Sequence, residues 1–300
     1  MNKVNRKFKV VGMGEILWDL LPGGKQLGGA PANFAYHARL LGANGYVVSA
    51  VGNDPLGNEI MDTIRKIDLT GEFVEIDQDH PTGTVQVILD TKGHPDYVIH
   101  TDVAWDFIPF SGKLDALAKE TSAVCFGSLA QRSITSGNTI LSFLKATSET
   151  CLKIFDINLR QRFYNEKIIK NSLKISNCLK LNEEELPQVA KMCSVNGVED
   201  DILKYLLKEY ELDLIALTKG EKGSRLFCAD YDRFMASPSV EVADTVGAGD
   251  SFTAALALGL LQKLPYETIH RNATTLAAYV CTQKGATPNL TGRIRKELKL

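Results

Sequence analysis

The sequence lacks the features that mark several other classes of protein. Its 300 residues carry 34 Lys and Arg against 36 Asp and Glu, so it has none of the basic excess that nucleic-acid binding usually needs. Its longest apolar stretch, from Phe252 to Leu261, is interrupted by Thr253 and Gly259 and is shorter than the roughly 20 residues of a membrane span. We therefore expect no nucleic-acid partner and no membrane insertion.

Paired cysteines are also missing. The six cysteines are scattered, without a CxxC pair or a Cys/His cluster at metal-ligand spacing, which argues against a zinc site. Most of them lie in apolar runs, where a buried free thiol is the usual state. The first residues are basic and polar and lack the apolar core of a signal peptide. Together these features predict a cytoplasmic protein. The cysteines are Cys125, Cys151, Cys178, Cys193, Cys228 and Cys281.

Two common nucleotide-binding fingerprints do not occur. The chain has neither a Walker A sequence nor a GxGxxG motif. The absence of the second motif disfavours a nicotinamide oxidoreductase, a class whose alternating strands and helices would otherwise fit this chain.

What the chain does have is a regular alternation of short apolar runs and amphipathic stretches. Strands separated by helices predict βαβ units and a mostly parallel sheet covered on both faces. Residues 16–21, and a hairpin of residues 84–90 and 97–100 around Lys92 and Gly93, have no helix of their own and predict a small sheet beside the main one. The predicted strands are residues 8–11, 46–51, 124–126, 153–157, 178–181 and 212–217, and the predicted helices are residues 33–41, 57–67, 134–146, 166–176, 201–210, 250–262 and 266–282.

A glycine-rich turn opens the first of two long C-terminal helices. In residues 244–252 (DTVGAGDSF), Gly247 and Gly249 remove side chains from a turn that precedes an apolar helical run. Such a turn leaves backbone N–H groups unpaired at the positive end of the helix dipole, which suits an anion or a transferring phosphoryl group. Asp250 is then either a helix-capping carboxylate or a base that accepts the proton of an incoming hydroxyl.

Residues 244–252 resemble the C-terminal signature of the ribokinase-like (PfkB) family of carbohydrate kinases, and the resemblance extends over roughly residues 9–288. It implies a ribokinase-like three-layer α/β/α sandwich, one domain over residues 1–300, with a β-lid from about residues 15–27 and 82–106. It also implies ATP as phosphoryl donor and a sugar as acceptor. Asp250 would be the catalytic base, and the backbone amides of Gly247, Ala248, Gly249 and Asp250 would form the anion hole. Lids often pair between subunits in this family, so a homodimer through the lid is an expectation.

A second motif, GGAPANFA at residues 28–35, resembles the family signature that contributes to the sugar pocket. Gly28 and Gly29 let the backbone approach a ligand closely, and Asn33 offers both donors and an acceptor to hydroxyl groups. Taken alone, this motif is equally compatible with a plain strand-to-helix turn. The resemblance also places Asp19 against the sugar.

Residues 181–185 (LNEEE) resemble the NxxE element of the family, in which Asn182 and Glu185 would organise Mg²⁺ and its waters near the ATP phosphates. As a pattern alone, Asn followed by glutamates is also good helix-capping chemistry.

Residues 218–223 (TKGEKG) resemble a turn that contacts the phosphates and ribose of ATP, with Thr218, Gly220 and Gly223 at the matching positions. The lysines of this turn are interpreted as solvated charges. Asn272, on the last long helix, falls where family members line the adenine pocket.

A monovalent-cation site is a further implication of the resemblance, because residues 284–288 (KGATP) are similar to a segment that completes such a site. Potassium is therefore an expected activator. The implied ligands are Asp244, backbone carbonyls around Val246, Val280 and Gly285, and the polar side chain of Asn289.

Several residues bear on the acceptor. The form GGAPAN resembles fructokinases and 2-keto-3-deoxygluconate kinases, and Ala30 removes the lysine that ribokinases and phosphosugar kinases show there. Residues 156–160 (DINLR) resemble an element of the same two groups, whose Arg160 would bind the sugar or the phosphates, or form a buried structural ion pair. Residues 96–100 lack the arginine typical of ketogluconate kinases. Fructose, phosphorylated to fructose 6-phosphate, is the first expectation.

Two other classes of function remain open from the sequence. One is a kinase of the same fold that acts on 2-keto-3-deoxygluconate, ribose or a nucleoside. The other is a non-catalytic sugar or nucleotide sensor, although a sensor would have no need of the Asp250 base.

Overall fold

The described part of the chain forms two sheets and a set of covering helices. The structure is a computed structural model that describes residues 8–21, 23–89 and 95–298. The strands are β1 (Lys9–Met13), β2 (Leu17–Leu21), β3 (Gly24–Gly28), β4 (Asn44–Gly52), β5 (Val74–Asp77), β6 (Thr84–Leu89), β7 (Pro95–Ile99), β8 (Ala123–Phe126), β9 (Leu152–Asp156), β10 (Cys178–Asn182), β11 (Leu214–Thr218), β12 (Gly223–Phe227) and β13 (Asp232–Ala236). The helices are α1 (Ala30–Leu40), α2 (Pro55–Lys66), α3 (Gly112–Glu120), α4 (Ile134–Ala146), α5 (Glu166–Ile175), α6 (Glu185–Met192), α7 (Glu199–Glu209), α8 (Ala248–Leu261), α9 (Tyr266–Cys281) and α10 (Gly292–Glu297).

The large sheet has the strand order β13-β12-β11-β10-β9-β8-β1-β4-β5. In the order given, every neighbouring pair from β5 to β11 is parallel. The β11–β12 and β12–β13 pairs, at the other edge, are antiparallel. This confirms the predicted mostly parallel sheet. Every strand and helix predicted from the alternation is present, with ends shifted by a few residues.

Two hydrophobic cores lie on opposite faces of the large sheet, because successive side chains of a strand point to opposite faces. On β9, Ile154 joins one core and Phe155 the other. The core with Ile154 is covered by α1, α2, α8, α9 and α10, and the core with Phe155 by α3 to α7. The predicted three-layer α/β/α sandwich is therefore confirmed.

A smaller sheet has the order β3-β2-β6-β7 and begins only three residues after β1 ends. Its β2–β3 and β6–β7 pairs are antiparallel, and β2–β6 is parallel. The predicted hairpin of β6 and β7 is present, while its turn at Lys92 and Gly93 falls outside the described residues. That this sheet acts as a lid stays a prediction.

The remaining predictions from composition concern thiols and membranes. All six cysteines are free, and five are buried while Cys281 is half-buried. Within the described ranges, no helix is both long and apolar enough to cross a membrane. Those same ranges contain no cluster of three or more His, Cys, Asp or Glu side chains that could hold a metal ion.

Candidate active site

Two predicted site residues, Asn182 and Thr218, lie with Asp156 and Glu15 at the edge of the large sheet where the parallel strands end. Asp156, Asn182 and Thr218 are the last residues of β9, β10 and β11, and Glu15 follows β1 by two positions. Ligands of open α/β sheets bind outside the carboxyl ends of the strands. The start of α8 faces the same edge, since Thr253 in its second turn bonds to Asp156.

The glycine turn has the geometry of an anion site. Gly247 is the N-cap of α8 with φ +80°, and a Cβ there would lie 2.7 Å from the carbonyl oxygen of Ala286, so only glycine fits. The Ala248 amide is engaged within the turn at 3.3 Å. Elsewhere in the described chain, no protein group accepts the amide protons of Gly249 and Asp250. Two N–H groups therefore face outward at the positive end of the helix.

The Asp250 carboxylate lies beside this turn and is half-buried. Its Oδ2 accepts a 2.8 Å hydrogen bond from Asn33 Nδ2. Removal from water raises the pKa of Asp250 to about 6, and the negative charge of Asp156 acts in the same direction. The Asn33 hydrogen bond and the cations Lys180 and Arg160 oppose this rise. The carboxylate is thus a base that is ionised at neutral pH yet close to its own pKa, as proton transfer requires.

The predicted sugar-binding residues join this site from the small sheet and from α1. Burial raises the pKa of Asp19, on β2, to about 6, and Arg160 opposes the shift. A Cβ at Gly28 would lie 2.3 Å from Asp19 Oδ2, so the absence of a side chain at Gly28 makes room for that carboxylate. Gly29, with φ +110°, is the N-cap of α1, and Asn33 lies in the first turn of that helix.

Arg160 is exposed, and its positive charge lowers the pKa values of three carboxyl groups, those of Glu15, Asp19 and Asp250. The described residues give it no ion pair within salt-bridge distance. The alternative of a buried structural ion pair is therefore wrong. The backbone before and after it is unusual, since Asn158 and Gln161 have φ of +47° and +48°.

Glu15 is a residue of the site that the motifs did not reveal. Its side chain is 4% exposed, and no group in the described ranges bonds to its Oε2. Burial raises its pKa to about 7; Arg160 lowers it and Asp250 raises it. The only sequence signal was a charged residue inside an otherwise apolar stretch. A half-protonated carboxyl of this kind can donate to or accept from a hydroxyl group.

On the predicted nucleotide side, Asn182 and Glu185 cap each other. Asn182 Oδ1 accepts the amide protons of Glu184 and Glu185 at 2.9 and 2.8 Å. The two carboxylate oxygens of Glu185 accept those of Leu159 and Asn182, at 2.9 and 2.8 Å. Glu185 is buried and ties the loop after β9 to the start of α6. Each Glu185 oxygen accepts one bond and keeps a free lone pair, whereas both lone pairs of Asn182 Oδ1 are used, so the predicted role toward Mg²⁺ would fall to Glu185 through water.

The predicted phosphate turn lies between β11 and β12. Thr218 Oγ1 donates to the carbonyl oxygen of Leu181 at 3.3 Å, Gly220 is exposed with φ +55°, and Gly223 is buried. The two lysines are ion-paired: Lys219 to Glu199 at 2.6 Å and Lys222 to Glu183 at 2.9 Å. Asn272 is half-buried on α9.

Among the predicted cation ligands, Asp244 contacts the backbone of two others, Val246 and Gly285. Its Oδ1 accepts the amide proton of Val246 at 3.1 Å and its Oδ2 that of Gly285 at 3.0 Å. Val280 is buried near the end of α9, and Asn289 Oδ1 accepts a long 3.4 Å bond from a tyrosine hydroxyl. Asp244 thus joins the loop before α8 to the loop after α9.

An open cleft of about 490 Å³ lies beside the loop that carries Arg160. It is bounded by the end of β7 and by the loop that follows Arg160. It therefore adds space between the small sheet and the edge of the large one. The lining residues are Val98, Ile99, His100, Thr101, Gln161, Arg162 and Phe163.

An outward-facing helix start beside a carboxylate of raised pKa suits phosphoryl transfer, and together with the fold it defines an α/β phosphotransferase. The particular family follows from comparison with known proteins. Residues 23–292 match the pfkB family carbohydrate kinases, and the chain belongs to that family.

Relatives of known name agree with this assignment. A Pyrococcus horikoshii protein named as a sugar kinase is 31% identical over 271 residues, which cover 87% of this chain and 83% of that protein. Its crystal structure in complex with ATP superposes with a TM-score of 0.79 over 94% of each chain, at 28% identity. The fructokinase of Salmonella typhimurium is 29% identical over 297 residues, covering 93% and 94% of the two chains. The 2-dehydro-3-deoxygluconokinase of Thermotoga maritima, at 20% identity, shares the fold with a TM-score of 0.83 over 97% and 99%.

The protein is therefore an ATP-dependent carbohydrate kinase.

Proposed function

We propose that this kinase transfers the γ-phosphoryl group of MgATP to the primary hydroxyl of fructose, giving fructose 6-phosphate and ADP. The observation that carries the proposal is the Asp250 carboxylate, held by Asn33 at the open start of α8. The sugar would bind between Asp19, Asn33 and Arg160, with its hydroxyl directed at Asp250.

The chemical step assigns one task to each group. Asp250 accepts the hydroxyl proton as the sugar oxygen forms its bond to the γ-phosphorus and the bond from that phosphorus to the β,γ-bridging oxygen breaks. The free amides of Gly249 and Asp250 face the negative charge on the transferring group. Phosphoryl transfer depends mostly on such positioning and electrostatics.

We choose fructose over a phosphosugar because the sugar motif has Ala30 at the position where phosphosugar kinases have a lysine. A curated relative at 29% identity is also a fructokinase. The second candidate acceptor is 2-keto-3-deoxygluconate. It is favoured by one observation: Arg160 is exposed, has no ion pair in the described chain, and would suit a substrate carboxylate.

Two cations belong to the proposal. Mg²⁺ would arrive with ATP and keep most of its waters, one of which Glu185 would bind, while Asn182 holds the start of α6 in place. Potassium would lie among carbonyl oxygens of the two loops that Asp244 joins. Replacement of potassium by tetramethylammonium should lower the turnover rate several-fold, and an unchanged rate would remove the potassium site from the proposal.

The small sheet is proposed as a lid over the sugar, because it carries Asp19 and borders the open cleft. Closure would exclude water, which competes as phosphoryl acceptor. A homodimer through this sheet is part of the same proposal, and light scattering of the purified protein would decide it.

The test is ADP release with MgATP and potassium across fructose, 2-keto-3-deoxygluconate, ribose, adenosine and fructose 6-phosphate. The highest kcat/KM is expected for fructose. A preference for another sugar would replace the acceptor and keep the mechanism, whereas no turnover with any of them would favour the sensor.

A further inference from the structure

A buried ion pair lies directly behind the glycine turn. Lys180 Nζ, on β10, is 2.9 Å from Asp156 Oδ1, at the end of β9, and the two side chains are only 10% and 6% exposed. The two residues are opposite each other in the parallel register of these strands. The sheet itself therefore fixes the pair, whose Asp156 begins the DINLR element of residues 156–160 and whose Lys180 lies in no motif used above.

Both partners contact the turn that begins α8. Thr253 Oγ1 lies 2.9 Å from Asp156 Oδ2 and 2.9 Å from the carbonyl oxygen of Gly249. A Cβ on Gly249 would come within 3.1 Å of Lys180 Nζ, so the ammonium touches the turn from its inner side. A chain of contacts thus runs from the ion pair to the residue next to Asp250.

A buried ion pair is a poor way to gain stability, because the cost of removing two charges from water often exceeds their attraction. Its position suggests another purpose, since both charges act on Asp250 with opposite sign: Asp156 disfavours the ionised carboxylate and Lys180 favours it. The charged and titratable groups that face Asp250 from the surrounding elements are Glu15, Cys125, Asp156, Arg160 and Lys180.

We propose that Lys180 and Asp156 are positioning residues of the kinase, which hold the first turn of α8 from behind and set the charge state of the Asp250 base. The inference rests on the proposed role of Asp250. Lys180 keeps Asp250 ionised in the free enzyme. Asp156 neutralises most of that cation and, through Thr253, fixes the carbonyl of Gly249 and with it the direction of the open amides.

The two halves of the pair predict opposite changes in the pH profile. Lys180→Met removes a cation, so the acidic limb of kcat/KM should move to higher pH. Asp156→Asn keeps a hydrogen-bond acceptor for Thr253 but removes an anion, so the limb should move to lower pH. Each shift should be about one pH unit, the usual effect of one charge nearby. Thr253→Val keeps both charges and should lower kcat without moving the limb.

The experiment measures the acidic limb between pH 5 and 9, and also titrates the Asp250 carboxyl carbon in ¹³C-Asp-labelled free protein, with Asp250→Asn to assign the signal. Matched controls are Lys119→Met and Asp115→Asn, which break an exposed ion pair on α3 and should move neither quantity. Opposite displacements of the Asp250 titration confirm the proposal, and equal or absent displacements overturn it. If Lys180→Met fails to fold, the other two variants still test the proposal, because Asp156→Asn should move the limb to lower pH and Thr253→Val should not move it. The carboxyl titration needs no turnover. If the sugar-kinase assignment failed, only the pH profile of kcat/KM would be lost, and the Asp250 titration would still test the proposal.

Discussion

At the scale of single residues, the candidate site gathers three acidic side chains around Arg160. Glu15, Asp19 and Asp250 all have raised pKa values, of about 7, 6 and 6, and burial is the first cause in each case. Arg160 is the cation common to all three. Together they make the free enzyme's site sensitive to pH in the range from about 5 to 8.

Asp250 is expected to carry the proton transfer. Asp250→Asn keeps the size of the side chain and its contact with Asn33 but removes the base, so kcat should fall by roughly 10²–10⁴-fold. The affinity for the sugar, measured by calorimetry, should change little. Asp115→Asn, on the exposed surface of α3, is the control. A kcat close to that of the wild type would exclude Asp250 as the base.

Glu15 makes a prediction about stability that is independent of turnover. Its folded-state pKa of about 7 lies above its ordinary value of 4.5, so the folded state loses stability as the pH rises from about 4.5 to about 7, and the loss persists at higher pH. Glu15→Gln should therefore raise the free energy of unfolding at pH 8 by up to about 3 kcal/mol and at pH 5 by less than about 1 kcal/mol. Urea denaturation at both pH values measures this. An equal change at the two pH values would mean that the pKa of Glu15 is not raised in the folded state.

At the scale of elements, the turn before α8 gains its function from backbone geometry. Gly247 adopts a left-handed conformation and sits against Ala286 in the loop that follows α9. Asp244 joins the same two loops through its backbone hydrogen bonds. The direction of the open amides is therefore set jointly by the loops before α8 and after α9.

Gly247→Ala should disturb that direction. A Cβ would approach backbone atoms of Ala286 at 2.7 Å, at a φ that L-residues rarely adopt, so the turn has to shift. Loss of anion-hole alignment is expected to lower kcat by about 10²–10³-fold, with a smaller effect on the KM for the sugar. Gly112→Ala, where a Cβ meets nothing within 4 Å, is the control. Equal kcat values for the two variants would contradict the role of the turn.

How much of this could be predicted from the sequence differs between elements. The parallel strands β1, β4 and β8 to β11 were predictable because they are largely buried on both faces and read as short apolar runs. The parallel edge strand β5, in which only Val74 is buried, was missed. The antiparallel strands β12 and β13 were missed, since the edge strand β13, with Asp232 and Arg233, is exposed and polar.

The site shows the same division. Asp250 and Asn33 lie in motifs of local spacing, whereas Lys180 and Asp156 meet only through the pairing of β9 with β10. Glu15 was missed because its role depends on burial against Arg160 and Asp250, which are distant in the chain. Sequence spacing predicts local turns, whereas the charged groups of the site come together only through the order of the strands.

At the scale of the whole molecule, the proposed acceptor site is shared between two sheets. Asp19 belongs to the small sheet, while Asn33 and Asp250 belong to helices on the large one. The proposed nucleotide residues, in contrast, all lie on the large sheet and its helices. A sugar that bridges the two sheets should therefore order the small sheet, and a nucleotide alone should not.

Hydrogen exchange can separate these two effects. Fructose should slow amide exchange in β2 and β3 several-fold, because local opening of the small sheet would have to break the sugar contacts of Asp19. A non-hydrolysable ATP analogue should instead protect the turn between β11 and β12 and the start of α8. The Asp19→Asn variant, which keeps its shape and loses its charge, should weaken only the response to fructose. If the nucleotide protects the small sheet as strongly as the sugar does, that sheet responds to ATP, and its proposed role as a cover specific to the acceptor is wrong.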